Sequence, residues 1–384
     1  MQNLNTLLQL IKINSYTTNR EGVNEKQDFI QELLKDLPVS FQRISDDTYG
    51  DFMVVRSDKI DSNKPVIAMV FHIDTVHKLE SEIETYIDDG KLYGPGSMDM
   101  QGSIFVGIEV VEKLHIEGKL QNIVMVFNSC EEKGSPEFQS TVRDIANEVT
   151  HVMVYESAES SNQYKAGSKE FLHTFVLATG RKGIFQQVIE TEGPGGHSGM
   201  LSKKEDRKNA IAQAAHMMVD IDALANYDKQ TTVNLAYVNG GRENTVISED
   251  CRFVFDVRYK FEDERQRVKN AVSEILNNEF VAGVKTKDLG YNYDLPSWQP
   301  NENTSKFFSD VVSVGTGINI KIEGAERGGW SDGCNFYFYN NDLFVLDGFG
   351  PKGEGEHTVG EFLYIDTIEP AINLSYNVIK ELLK

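Results

Sequence analysis

Acidic and imidazole side chains follow each of four short apolar runs in this sequence. VIAMVF (66–71) runs into His72-Ile73-Asp74, and HVMVY (151–155) runs into Glu156. NIVMVF (122–127) leads through Asn128-Ser129-Cys130 to the adjacent pair Glu131-Glu132. LFVLDG (343–348) leads through a glycine-rich loop to Glu356-His357, and YGPGSMDMQGS sets Asp99 in a turn. Imidazoles and carboxylates together suit a hard-to-borderline divalent cation such as zinc, manganese or cobalt. Asp74 lies two residues beyond His72, so on an extended segment both point the same way and Asp74 can fix the imidazole tautomer. Neighbouring glutamates repel each other unless a cation offsets their charge. With cations present, one can ligate while the other takes a proton from water. Glu159 competes with Glu156, but only Glu156 directly follows the apolar run. His77, His115, His151, His173 and His216 lack such a context and read as structural.

These residues share a site only if the apolar runs are neighbouring strands of one sheet. Continuous apolar runs separated by helical periodicity, as over 102–114, predict a mostly parallel α/β sheet covered on both faces. Ligands in such sheets bind beyond the carboxyl ends of the strands, where all five segments would then converge. After Gly180 the pattern changes. A strand (183–192), a helix (206–224), two strands (231–238, 251–259), a helix (262–278) and a short strand (281–288) make a β-α-β-β-α-β unit. DLPSWQPNENTS (294–305) reads as the linker back. A helix (303–314), a strand (343–348) and a last helix (362–383) complete the first pattern. The expected division is a catalytic domain of residues 1–180 and 294–384 with an inserted domain of residues 181–293.

Composition sets the outer limits. The chain has 384 residues, 40% hydrophobic and 25% charged, which fits a globular protein of two domains. A formal net charge of −21 argues against nucleic-acid binding. The apolar runs fall short of the roughly 18–20 residues that span a bilayer. The opening MQNLNTLLQLIKINSY reads as an amphipathic helix and not a signal peptide. Three scattered cysteines (Cys130, Cys251, Cys334) favour a reducing compartment, and a cytoplasmic location is expected. No GxGxxG follows the first apolar run, so a dinucleotide-binding reading lacks its fingerprint.

The motifs FHIDTV, YGPGSMDMQGS, CEEKGS, YES, GPGGHSG, GGRENTVISEDCRFVFDVR, GGWSDG and GEHT occur in one order over nearly the whole chain. In this the sequence resembles the co-catalytic zinc exopeptidase and deacylase family. Its members include glutamate carboxypeptidase, aminoacylase, acetylornithine deacetylase, succinyl-diaminopimelate desuccinylase and peptidase T. The resemblance implies two zinc ions per subunit, with cobalt or manganese as substitutes. His72, Asp99 and Glu156 would hold one ion. Asp99 would bridge to the other, completed by Glu132 and His357. It further implies that Glu131 is the general base and that Asp74 supports His72. His197 in GPGGHSG would stabilise an oxyanion in a partner subunit's site. Asn244 would lie near the same oxygen, Arg258 would bind a substrate carboxylate, and Gly329 and Asp332 would lie beside the substrate. The inserted ferredoxin-like unit would be a lid that forms a homodimer. The pattern is broken at Gln101, where a basic residue is usual, at Ser129-Cys130, where an acidic residue is usual, and at the bulky Trp330.

The expected activity is hydrolysis of an amide bond next to a free carboxylate, by a dinuclear zinc carboxypeptidase or dipeptidase acting on small peptides. The alternative is an N-acyl amino acid deacylase. A tripeptide aminopeptidase is a third reading, against which Glu156 leans, because that branch tends to carry Asp there. No nucleic-acid or membrane partner is expected.

Overall fold

A computed structural model describes residues 4–81, 83–159, 163–203 and 206–384. The chain forms two compact units. One comprises Met1–Gly180, Pro300–Arg327 and Ser331–Lys384, and the other Arg181–Gln299 with Gly328–Trp330.

The first unit is built on a mixed eight-stranded sheet. Its spatial order is Val39–Ile44, Phe52–Ser57, Ile123–Asn128, Ile67–His72, His151–Val154, Phe344–Asp347, Thr174–Arg181 and Lys321–Arg327. The four central strands run parallel. Every residue of Ile67–His72, Ile123–Asn128 and His151–Val154 is buried. That explains their unbroken apolar sequence: helices cover both faces, and alternation would place polar groups in the core. Helices Gly102–Ile116, Glu302–Gly317 and Ile368–Leu382 contribute Ile104, Phe105, Phe307, Val311, Leu374 and Ile379 to the same apolar cluster as Phe71 and Phe127. Gly107 lets the first of these helices lie against the sheet. A Cβ there would stand 2.3 Å from Cζ of Phe71.

Three of the outer strands run antiparallel to their inner neighbours. Phe52–Ser57 pairs with Ile123–Asn128, Val39–Ile44 pairs with Phe52–Ser57, and Thr174–Arg181 pairs with Phe344–Asp347. The sheet is therefore α/β and parallel at its centre, as the apolar runs predicted, with antiparallel margins they did not reveal.

The second unit has chain order β-α-β-β-α-β. Strands Thr232–Gly240, Asp250–Tyr259, Gly183–Glu192 and Lys285–Leu295 lie side by side in that order, all antiparallel. In Asp250–Tyr259 every second residue is buried, so one face is covered. Helices Ala210–Asp222 and Glu262–Leu276 cover it with Ala214, Met217, Val268 and Val272.

Several element boundaries need correction. The short strand expected at 281–288 is the longer Lys285–Leu295. Val281 and Val284 are buried in the segment before it. The strand also takes the first residues of the expected linker. The helix expected over 362–383 begins at Ile368. Phe362–Tyr364 instead pairs antiparallel with Lys91–Tyr93, as suits its aromatic residues. The helix expected over 206–224 spans Ala210–Asp222, where Asn209 caps it by accepting from the Ala212 amide. The N-terminal helix spans Leu4–Lys12, and residues 1–3 lie outside the described residues. No helix among the described residues is long and apolar enough to cross a membrane. The three cysteines are buried thiols.

Candidate active site

Parallel pairing carries the ends of the central strands to one rim. His72 lies opposite Asn128 in the register of their two strands. The main chain continues the contact beyond both, with the Ile73 amide donating to the Asn128 carbonyl at 2.8 Å. Tyr155, just before Glu156, donates its amide to Val70 at 3.0 Å.

His72 and Asp99 form the middle of the site. The Nδ1 of His72 lies 3.0 Å from the Asp74 carbonyl oxygen and 3.4 Å from the Asp74 carboxylate. The main-chain carbonyl is thus the nearer partner of the ring. With Nδ1–H donating there, Nε2 turns its lone pair toward Oδ1 of Asp99 at 2.9 Å, with Glu156 at 3.9 Å. A lone pair facing two carboxylates requires a proton or a cation between them.

Asp99 is shared. Its Oδ2 lies 3.3 Å from Nε2 of His357, which is also 3.3 Å from Oε2 of Glu132 and 3.9 Å from Glu356. His72, Asp99 and Glu156 can converge on one ion, and so can Asp99, Glu356 and His357. Glu132 stands as close to His357 as Asp99 does, and its Oε1 is buried with no hydrogen-bond partner among the described residues. A buried, unsatisfied carboxylate oxygen is costly. A cation in contact with it removes that cost, so the donor set fits two divalent ions that share Asp99.

Asp74 is fully buried and organises the glutamate pair. Its Oδ1 accepts from the Glu131 amide at 3.1 Å, and its Oδ2 accepts from the Glu132 amide at 3.2 Å and the Thr17 hydroxyl at 2.8 Å. Gln101 donates to the Ile73 carbonyl at 3.3 Å, so the residue that breaks the family pattern braces the His72–Asp74 segment.

Asp332, expected beside the substrate, is buried with both oxygens engaged. It accepts from Asn128 at 2.7 Å and from the Ser135 hydroxyl at 2.7 Å. Its geometry makes it a brace for the loop that carries Glu131 and Glu132. Sequence reasoning missed Thr17, Asn128 and Ser135 in these roles. Each is an ordinary polar residue whose partner is distant in the chain or known only from the fold.

Electrostatics match the crowding. Burial, then the neighbouring Glu156 and Glu132, push the proton affinity of Glu131 well up, against the pull of His72. Burial, followed by Asp99, raises Glu132 to about 7. Hydrogen bonds to Asp99 and Glu132 push His357 up to about 11. Burial opposes ionisation of Asp99, but the bonds to His357 and His72 outweigh it and hold its carboxyl low. His72 is raised despite its burial, by Asp74 and Asp99. Without cations, protons fill the places between the acids.

The other predicted residues belong to the second unit. His197 is exposed, pairs with Val246, and accepts from the Gly199 amide at 3.0 Å. Asn244 lies in an exposed turn. Arg258 is half-buried on strand Asp250–Tyr259 and holds Asp256 at 3.4 Å. The carbonyl of Gly329 accepts from Arg181 at 3.2 Å.

Carboxylates gathered this closely around two imidazoles, with one acid poised to hold a proton, define a metal-dependent hydrolase. This chain belongs to Peptidase family M20/M25/M40, whose sequence signature matches residues 68–381. It is similar to a succinyl-diaminopimelate desuccinylase of Rickettsia felis, 24% identical over 99% of this chain and 100% of the relative. It is also similar to carboxypeptidase G2 of a Pseudomonas species, 22% identical over 99% and 89%. Its fold resembles the aminopeptidase PepT of Bacillus cereus, with a TM-score of 0.78 at 15% identity over 100% of this chain and 98% of that one. The protein is therefore a metallopeptidase or deacylase of this family.

Proposed function

We propose that this protein is a dinuclear zinc hydrolase that cleaves an amide bond next to a free carboxylate in small peptides. The observation that carries the reading is Asp99, whose two oxygens face His72 on one side and His357 with Glu132 on the other. His72, Asp99 and Glu156 would hold one zinc, and Asp99, Glu132 and His357 the other. When bound, the ions would polarise the scissile carbonyl and acidify a water. Glu131 is the group left to move protons. It is not needed as a ligand, and its amide is fixed by Asp74. It would take the proton of the attacking water and return it to the leaving amine.

The substrate roles of Arg258, His197, Asn244 and Gly329 rest on the family resemblance. Arg258 would pair with the substrate carboxylate, and His197 would donate to the oxyanion. Deacylation of N-acyl amino acids is the second reading, favoured by the desuccinylase relative. Zinc-loaded protein assayed on dipeptides, tripeptides, and N-acetyl and N-succinyl amino acids separates the readings. Fastest turnover is expected on dipeptides, with Glu131→Gln losing about 10²- to 10⁴-fold in kcat at unchanged metal content. Turnover only of N-acyl amino acids would favour deacylation, and unimpaired Glu131→Gln would remove Glu131 as the base.

A further inference from the structure

Asp99 sits in a glycine-rich turn closed by its own main-chain bonds, the Ser97 amide donating to Gly94 at 3.1 Å and the Gln101 amide to Gly96 at 2.8 Å. Gly94 and Gly96 both have positive φ, 155° and 69°, and neither carries a side chain to pack. One distant residue, Glu361, ties four of the turn's amides to another part of the chain. The main-chain carbonyl of Glu361 accepts from the Gly94 amide at 3.2 Å. Its carboxylate Oε2 accepts from the Gly96 amide at 3.0 Å and lies 2.7 Å from Nε2 of His77. Its Oε1 accepts from the amides of Met98 and Asp99 at 2.9 and 3.1 Å. Glu361 is 2% exposed, and both its oxygens are saturated by the turn and by His77.

Glu361 lies four residues beyond His357, just before the strand Phe362–Tyr364 that pairs with Lys91–Tyr93. The loop that presents His357 and the turn that presents Asp99 therefore meet in a single carboxylate.

We infer that Glu361, with His77 behind it, is a positioning residue that locks the Asp99 turn to the His357 loop and sets the geometry of the cation pair. A merely structural carboxylate would stabilise the fold without regard to the ions. This one fixes the amide of the residue both ions would share. Removing half its acceptors frees Asp99 to move relative to His357, which weakens both ions together. Outer partners of metal ligands typically contribute about 10- to 100-fold in affinity. The inference rests on the dinuclear reading above.

The test is titration of metal-stripped full-length protein with Co²⁺, followed by visible absorption and chelator competition, alongside thermal melts of the stripped protein. Wild type is expected to take up two equivalents. Glu361→Gln is expected to bind about 10- to 100-fold more weakly, with an altered cobalt spectrum. His77→Phe, which removes one of the contacts, should show a smaller loss in the same direction, and it decides the matter if Glu361→Gln fails to fold. Wild type that binds two ions, with variants that match its affinity and spectrum and differ only in melting temperature, overturns the positioning role and leaves the dinuclear reading intact. Wild type that binds no cobalt overturns both.

Discussion

A single buried lysine shows how much charge lies beneath the catalytic rim. Lys26, on helix Arg20–Leu34, is fully buried and donates to the Ser15 hydroxyl at 2.7 Å. Ser15 in turn donates to the Ile73 carbonyl at 2.5 Å, between His72 and Asp74. Desolvation lowers the lysine to about 7, against the attraction of Asp74. The sign of the consequence follows. Between about pH 7 and its ordinary value of 10.5 the unfolded chain holds a proton that the folded chain has released. This group's contribution to stability therefore rises with pH across that window, and below it the burial penalty is fully present. Thermal melts from pH 7 to 10 should show wild type gaining on Lys26→Met. A difference between the two that stays constant with pH would contradict the assignment. At this scale the sequence was legible where a residue follows an apolar run, as with His72, Glu131, Glu132 and Glu156. It was silent for Thr17, Lys26 and Ser135, whose partners are set by the fold, and it did not give Asn128, though that residue follows an apolar run, its bond to Asp332.

Strands and helices deliver those residues. Ile67–His72 and Ile123–Asn128 could be read from sequence because burial on both faces leaves nothing but apolar residues. Val39–Ile44 could not, since its residues are only half-covered at the sheet margin and its composition is mixed. The short pairing of Lys91–Tyr93 with Phe362–Tyr364 was hidden by its length and by a separation of about 270 residues. Gly107 lies close against the Phe71 ring, one residue from His72. Gly107→Val must push the helix or the ring away. The expected cost is about 1–3 kcal/mol of stability, as for other overpacked cores, with a loss of metal affinity because Phe71 adjoins His72. A denaturant titration that matches wild type would show that the contact is slack.

At the scale of the molecule, the net charge of −21 and the acidic rim oppose anionic polymers and favour cations. The homodimer expected from the family resemblance would form through the edge strand of the inserted unit. Thr232–Gly240 lies at the margin of its sheet and exposes Leu235, Tyr237 and Val238. An exposed apolar edge invites pairing with a second copy. Sedimentation velocity at micromolar concentration should give a dimer that Val238→Asp shifts toward monomer, and a monomeric wild type would remove the proposal. The central claim is that one carboxylate, Asp99, is shared by two cations. It is tested most directly by anomalous diffraction at the zinc edge from crystals of the zinc-loaded protein. Two peaks about 3.5–4 Å apart, one beside His72 and Glu156 and the other beside His357 and Glu132, are the predicted result. A single peak, or none touching Asp99, would contradict the account.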